Sequence, residues 1–383
     1  MQCTTRGGCR SSLDRTFVSV RLAATLLIVI AGLDGLIRTA AGSAPSDVSA
    51  NDSQTQSTIQ GIVTVGMTVS NMARSLAFYT DVLQFKVISD VEVAGAEYEH
   101  LQGVFGLRMR ICTLKLGDEV IELTEYIAPQ GRSIPPESRS NDLWFQHIAI
   151  IVSNMDAAYA RLREHHVRHA STGPQTIPAW NNNAGGIRAF YFKDPDNHIL
   201  EVLWFPPDKG NPRWRRSDSL FLGIDHTAIV VADTEMSLAF YRDTLGMVVV
   251  GEAENYGSEQ ERLNNVFGAR LRITALRFPG EAGKSGPAIE LLEYLAPRDG
   301  RPFPADSRAC DLWHWQVTLR CTDVKSTETA LRATQSKWVS PGVVTMPDDG
   351  LGFISGMMAR DPDGHAFRIV LPRSAMDREA AAR

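Results

Sequence analysis

The chain repeats itself, and this repeat limits the folds open to it more than any other feature of the sequence. Short motifs return later in the chain without any change of order, which excludes chance composition. The matched pairs are Ser-Leu-Ala-Phe-Tyr at 75–79 and 237–241, Val-Phe-Gly at 104–106 and 266–268, Ile-Glu-Leu at 121–123 and 289–291, and Asp-Pro-Asp-x-His at 194–198 and 361–365. The sequence therefore predicts a duplicated domain.

Each copy of the repeat divides again into two similar halves. Alternating apolar residues predict strands, and apolar residues at helical spacing predict the one helix of each half. In the third half these are a strand at 223–231, a helix at 235–244 and strands at 247–251, 269–278 and 287–294. In the second half they are a strand at 146–152, a helix at 155–165 and strands including 187–192 and 198–204. The chain is thus expected to contain four β-α-β-β-β halves, numbered one to four.

Length and charge fit two globular domains. The 383 residues are 44% hydrophobic and 22% charged, and the formal net charge is −5. The expected domains are residues 60–207 and 221–373, joined by a linker at 208–220 and followed by a tail at 374–383. Lysine and arginine form no stripe or cluster, so we expect no nucleic-acid partner.

The N-terminal segment resembles a secretory signal peptide. Four arginines precede the apolar run 22–33, and small residues follow up to Ala44. This order predicts a signal peptide over 1–44, a disordered linker over 45–59, and an exported protein, periplasmic or secreted. After cleavage we expect no membrane association, although an uncleaved anchor remains an alternative.

Several motifs together resemble the vicinal-oxygen-chelate superfamily, which includes glyoxalases, bleomycin-resistance proteins and extradiol dioxygenases. They are Asp225-His226 at the start of a strand, Ser-Leu-Ala-Phe-Tyr-x-x-x-Leu-Gly-Met on a helix, Ile-Glu-Leu, and Asp-Pro-Asp-Asn-His-x-x-Glu-Val. The resemblance spans about residues 60–371 and implies an α+β fold, in which four βαβββ modules form two tandem glyoxalase-like domains. It specifies the fold and not the reaction, so function has to be argued from the site.

The resemblance also implies a metal site to which each half contributes residues from its first and last strands. The matching positions, in order of the halves, are Thr64 and Glu122, His147 and Glu201, His226 and Glu290, and Gln316 and Arg368. Imidazole and carboxylate ligands suit a divalent ion such as Zn, Ni, Co, Mn or Fe(II).

Two pairings of the halves are open. If each domain folds on itself, one site has three ligands, Glu122, His147 and Glu201, and the other is opposed by the permanent cation of Arg368. If halves two and three meet, His147, Glu201, His226 and Glu290 form a complete set, and Arg368 is left to pair with Glu122. We prefer the second pairing because it collects every suitable ligand in one place. The alternative is that the histidines are hydrogen-bonded core residues and the glutamates are surface groups.

Other residues carry weaker expectations. Glu125 and Glu293 fall on the opposite strand face from the ligand positions, where they would be solvent-exposed or supporting groups. The loop 178–186 has the composition of a lid over a pocket. Alternating arginines either bind an anionic substrate or, as we prefer, form salt bridges on an exposed face; these are Arg108, Arg110, Arg270 and Arg272.

Three function classes remain. The first is a glyoxalase I-like lyase or isomerase, in which a ligand carboxylate, Glu201 or Glu290, shuttles a proton on a small oxygenated substrate. The second is an extradiol dioxygenase, which uses two histidines and one carboxylate and leaves positions open for substrate and oxygen. The third is a non-catalytic small-molecule binder. In each case the expected partner is a small molecule, and the protein is a monomer or a homodimer.

Overall fold

The computed structural model describes residues 58–216, 218–280, 286–334, 336–347 and 351–373. The expected signal peptide, nearly all of the expected disordered linker and the C-terminal tail lie outside the described residues. The described residues form one compact unit. Among the described helices, none is both long enough and apolar enough to cross a membrane.

Half one contains the predicted βαβββ order with one additional helix. Its elements are β1 (Ile59–Val69), α1 (Met72–Ala77, continued by π-helical turns over Phe78–Val82), β2 (Lys86–Ala94), α2 (Ala96–Gln102), β3 (Arg108–Leu116) and β4 (Glu119–Ala128). The first strand thus begins one residue before the expected domain start. Half two consists of β5 (Gln146–Val152), α3 (Met155–Glu164), β6 (Arg168–His169), β7 (Gln175–Thr176), β8 (Arg188–Lys193) and β9 (Ile199–Trp204).

Halves three and four repeat these two plans. Half three consists of β10 (Phe221–Val231), α4 (Thr234–Leu238, continued by π-helical turns over Ala239–Thr244), β11 (Val248–Tyr256), α5 (Ser258–Asn264), β12 (Arg270–Arg277) and β13 (Ala288–Ala296). Half four consists of β14 (Trp315–Cys321), α6 (Val324–Arg332), β15 (Lys337–Trp338), β16 (Val344–Thr345), β17 (Phe353–Arg360) and β18 (Ala366–Pro372). The expected linker is not featureless, because it contains a 3-10 turn at Pro212–Trp214 whose Trp214 side chain is buried.

The halves pair across the sequence repeat. The first sheet joins halves four and one in the order β15-β17-β18-β14-β1-β4-β3-β2, with β16 beside β17. The second sheet joins halves three and two in the order β11-β12-β13-β10-β5-β9-β8-β6, with β7 beside β8. The central contacts, β1 with β14 and β10 with β5, are antiparallel. Each sheet therefore draws one half from each sequence domain.

The hydrophobic cores follow the sequence domains, in contrast to the sheets. One core packs the helices of halves one and two against their strands, and includes Met72, Tyr79, Leu162 and Phe190. A second core does the same for halves three and four. On the face of each sheet that is turned away from the helix-bearing core lies one further apolar cluster. Each domain thus has its own helix-bearing core, while each cleft on the other face is shared between the domains.

Two crossed loops, 129–141 and 297–310, fasten the halves together. Arg132 bonds to buried Asp311, and Arg301 makes the equivalent bonds to buried Asp142. Gly131 lies so close to the partner loop that a Cβ would be 1.9 Å from a carbonyl oxygen of Cys310. Each loop thus supplies an arginine that binds the aspartate following the other loop, so the two sets of contacts are equivalent.

Candidate metal centre

Four adjacent central strands of the second sheet bring the predicted ligand residues onto one face. In the register of the sheet, Ala149 on β5 lies between His226 on β10 and Glu201 on β9. In the same way, Ala228 on β10 lies between His147 on β5 and Glu290 on β13. Cross-strand partners share a face, as do residues two apart on one strand. All four side chains therefore project into the same cleft, and the two alanines between them leave room for a ligand.

The four side chains converge. Potential ligand atoms of His147, Glu201 and His226 all lie within 4.8 Å of one another. Glu201 Oε2 is 3.2 Å from His147 Nε2 and 3.7 Å from His226 Nε2. Glu290 Oε2 lies 3.3 Å from His226 Nε2. The structure thus brings together all four residues of the preferred cross-domain set, with three in a tight group and Glu290 beside it.

The hydrogen bonding of His147 differs from that expected of a histidine with a purely structural role in the core. Its side chain is 1% exposed, and its Nδ1 has no hydrogen-bond partner among the described residues. Its Nε2 lies 3.2 Å from Glu201 Oε2 and makes no well-aligned hydrogen bond there. A buried polar group without a partner costs about 1–3 kcal/mol, and such groups usually have a reason. Two imidazoles and two carboxylates are a donor set that suits Zn²⁺ and related divalent ions. The residues therefore fit a metal ion.

A supporting carboxylate orients the second histidine. Asp225 Oδ2 lies 3.2 Å from His226 Nδ1, which leaves Nε2 facing the cleft. Asp225 also accepts a hydrogen bond from the indole of Trp214 in the linker. Carboxylates that bond to the outer nitrogen of a metal-binding histidine fix its tautomer and orientation. The sequence motif contained Asp225 beside His226, but its supporting role was not predicted.

Burial and charge act differently on the site residues. Burial lowers the pKa of His147 despite the nearby Glu201, and so favours the neutral imidazole that a metal requires. Burial would also lower the pKa of His226, but Glu290, Asp225 and Glu201 outweigh it and raise that pKa to about 9. Burial raises the pKa of Glu290. The site therefore concentrates negative charge around His226.

The ligand residues lie in a cavity of about 590 Å³. The loop 178–186 borders this cavity through Asn182, Asn183 and Ala184, as expected of a lid. Trp180 in the same loop stacks on Tyr256, with ring centroids 4.3 Å apart. A larger groove of about 1530 Å³ runs beside α6 and the start of β1, but its lining contains no histidine among the described residues. The chemistry of the smaller cavity identifies it as the candidate site.

The equivalent cleft of the first sheet contains an ion pair. Arg368 donates two hydrogen bonds to the Glu122 carboxylate, at 3.0 and 2.7 Å, and a third to Thr318. Gln316 donates to the same carboxylate, while the Thr64 hydroxyl is buried without a partner among the described residues. Glu122 and Arg368 are therefore structural partners, as the cross-domain pairing predicts, and the alternative three-ligand set with Glu122 is not assembled.

The remaining predicted residues have structural roles. Glu125 and Glu293 accept hydrogen bonds from backbone amides at the starts of α1 and α4. Glu293 is buried, so the expectation of a solvent-exposed group was wrong for it, whereas Glu125 is partly exposed. The period-two alternation of the strands correctly predicted which sheet face these glutamates lie on. It could not predict that a helix packs on that face. The four alternating arginines form salt bridges, which was the preferred expectation. Their partners are Glu92, Asp90, Glu254 and Glu252 on the neighbouring strands and, for Arg272, also Glu235 on α4.

Comparisons with known proteins agree with this architecture. Residues 61–202 and 223–369 match the family model described as the Glyoxalase/Bleomycin resistance protein/Dioxygenase superfamily. No curated protein shows significant sequence similarity. Among solved structures, a variant of glyoxalase I from Zea mays is 16% identical, with a TM-score of 0.55 over 84% of this chain and 95% of its own. A candidate dioxygenase from Bacillus subtilis is 13% identical, with a TM-score of 0.52 over 84% of this chain and 88% of its own. At such identities these structures bear on the fold alone.

Proposed function

The chain belongs to the Glyoxalase/Bleomycin resistance protein/Dioxygenase superfamily, and we propose that its second-sheet cleft binds one divalent metal ion through His147, Glu201, His226 and Glu290. The observation that carries the proposal is the buried His147–Glu201–His226 group, whose potential ligand atoms lie within 4.8 Å of one another. Zn, Ni, Co, Mn and Fe(II) all accept this donor set.

We further propose a glyoxalase I-like lyase or isomerase activity on a small oxygenated substrate. A bound metal would supply Lewis-acid polarisation of two adjacent substrate oxygens. Glu290 is the residue placed to move a proton, because its side chain is 23% exposed to the cavity, whereas that of Glu201 is 6% exposed between the two histidines. The raised pKa of Glu290 suits a carboxyl group that takes a proton from carbon and returns it. Glu201, between the two histidines, would serve as a metal ligand.

One observation favours a second candidate, an extradiol-type dioxygenase. The tight group is two histidines and one carboxylate, with Glu290 outside it. That set is the facial triad of non-haem Fe(II) oxygenases, which leaves positions for substrate and oxygen. In this alternative Glu290 would act as a base and not as a ligand.

Metal analysis tests the site itself. The purified chain and its four single alanine variants, at His147, Glu201, His226 and Glu290, are loaded with each candidate ion, dialysed and measured by elemental analysis. We expect about one equivalent for the parent chain and a large loss for the variants of the tight group. Gln316→Ala is the matched control, because Gln316 is the counterpart of His147 in the other sheet, and it should retain the metal. A parent chain that retains none of these ions would contradict the proposal.

Two assays separate the reactions. A lyase or isomerase should exchange the α-proton of α-hydroxyketones or of thiohemiacetals with solvent deuterium, as followed by NMR, and Glu290→Gln should abolish exchange. A dioxygenase should instead consume oxygen with catechols when loaded with Fe(II). A chain that holds metal and shows neither activity would be a binder of the third class.

The N-terminal segment leads us to propose an exported protein that is cleaved near Ala44. The support is the arginine-rich start, the apolar run and the small residues that follow. N-terminal sequencing of the protein from its native source, combined with fractionation, tests this. An intact Met1 recovered with the cytoplasm would contradict it.

A further inference from the structure

The cavity of the second sheet has its metal-type ligands on one side and a helix on the other. The ligand residues lie on β5, β9, β10 and β13, the four central strands of the sheet. Helix α5 contacts β11 at one margin of the sheet and β7 and β8 near the other, so it spans the opening. The backbone carbonyls of Arg262 and Leu263 in α5 accept hydrogen bonds from Thr172 and Ser171 after β6. A substrate in the cavity would therefore lie between the ligand residues and α5.

The charged groups around the cavity offer little to a negatively charged substrate. Among the described residues that line it, there is no arginine, and Lys209 is the one lysine. The Lys209 ammonium already donates to the backbone carbonyl of Asn182. The lining contains five carboxylates, those of Glu201, Asp208, Asp225, Glu252 and Glu290. These five carboxylates carry more charge than Lys209 and a bound divalent ion together, so the cavity disfavours a second anionic group.

The polar groups nearer to α5 are neutral amides. Gln260 on α5 is 3% exposed and lines the cavity, and its Oε1 has no hydrogen-bond partner among the described residues. Its amide nitrogen donates to Asn264. The counterpart of Gln260 in half one is Tyr98, which packs into the apolar cluster of the first sheet. The second sheet thus has an amide at the position where the first sheet has an aromatic ring, and the Oε1 of that amide is enclosed beside the cavity.

We infer that the second-sheet cavity takes an uncharged substrate with an apolar body, which presents two adjacent oxygens to the ligand residues and a neutral hydrogen-bonding group to the Gln260 amide. The apolar body would contact Leu203, Leu271, Ile273 and Leu292, which line the walls. Gln260 is then a specificity-determining residue, and an anionic thiol adduct is a poor fit. This inference rests on the proposed function, because the adjacent oxygens need the metal.

Three catechols of matched size test the inference as non-reacting chelators. They are 4-methylcatechol, 3,4-dihydroxybenzyl alcohol and 3,4-dihydroxybenzoate, which carry an apolar, a donor and an anionic group at the same ring position. Affinity for the metal-loaded chain is measured anaerobically by calorimetry at pH 7, where the benzoate is ionised. We expect the benzoate to bind at least tenfold more weakly than 4-methylcatechol, which corresponds to about 1.4 kcal/mol. Gln260→Leu should weaken the alcohol about threefold to tenfold and leave 4-methylcatechol unchanged.

A charge variant supplies the matched comparison. Gln260→Lys places a cation in the cavity and should remove the discrimination against the benzoate. Glu261→Gln changes the net charge by the same amount outside the cavity lining and should preserve the discrimination. If the benzoate binds the parent chain as tightly as 4-methylcatechol, or if none of the three probes binds, the inference is overturned. Metal content measured on the same samples shows whether the proposed metal site has failed as well.

Discussion

Replacement of Arg368 by alanine tests how the first-sheet cleft is held together. Both side chains of the Arg368–Glu122 pair are at least nine-tenths buried, and the guanidinium also lies 5.5 Å from the ring centroid of Phe353. Removing one partner of a buried pair costs about 3–5 kcal/mol, because the other charge is left without compensation. For a chain of this size each kcal/mol corresponds to roughly 2 °C, so we expect Tm to fall by roughly 6–10 °C.

Thermal unfolding followed by circular dichroism measures this loss, with two comparison variants. Arg110→Ala breaks a more exposed pair with Asp90 and should cost no more than about 1 kcal/mol. The double variant Glu122→Leu/Arg368→Met replaces the buried pair by apolar groups and should recover most of the loss. Metal content should be unchanged in all of them, because the ion pair and the proposed metal residues lie in different sheets. A Tm within 2 °C of the parent for Arg368→Ala, or loss of metal with the fold intact, would refute the reasoning.

Three other perturbations follow from the same structure. Burial would raise the pKa values of Asp142 and Asp311, but hydrogen bonds from the crossed loops outweigh burial and lower these pKa values. The stabilisation from the two carboxylates is therefore present above their unfolded pKa of about 3.9 and is lost as the pH falls through their folded pKa values. Tm measured from pH 5 to pH 2 should accordingly decline below about pH 4. Chelation with EDTA should lower the Tm of the metal-loaded chain and leave His147→Ala unaffected, because only a metal that is bound can stabilise the fold; equal shifts in both would contradict the proposed site. Trp180→Ala removes the stack on Tyr256 and should weaken probe binding several-fold in calorimetry with less than about 1 kcal/mol loss of stability, whereas Trp180→Phe should retain binding.

The sequence predicted the strands well because their alternation is local. The strand predicted at 146–152 agrees with β5, and the helix predicted at 155–165 ends one residue earlier. The helix predicted at 235–244 is helical throughout, but it changes from α to π hydrogen bonding at Ala239. This wider turn is not encoded in the apolar spacing. It accompanies the inward packing of Tyr241, whose hydroxyl donates to Asp361 in half four.

Helices α2 and α5 were missed because their length gives a weak pattern. Each has seven residues, and its apolar contacts are made with strands that are distant in the sequence. A signal was nevertheless present, since each helix ends at a residue with positive φ, Gly103 or Asn265, just before the repeated Val-Phe-Gly motif. Gln260 was missed for the same reason, because its place over the cavity depends on the position of α5.

The sequence favoured the cross-domain pairing of the halves over the within-domain pairing but could not decide between them. A comparison of the two clefts shows the physical reason. Gly66 in the first sheet occupies the position of Ala228 in the second, and a Cβ there would lie 2.9 Å from Gln316 Cγ. The glycine therefore lets Gln316 reach the Glu122 carboxylate, whereas Ala228 belongs to a cleft that leaves space between its histidines. In both sheets the homologous positions join a strand of one repeat to a strand of the other, by an ion pair in one and by the proposed metal in the other. The first sheet thus joins the two repeats by a direct ion pair at the positions where the second sheet presents its ligand-type residues.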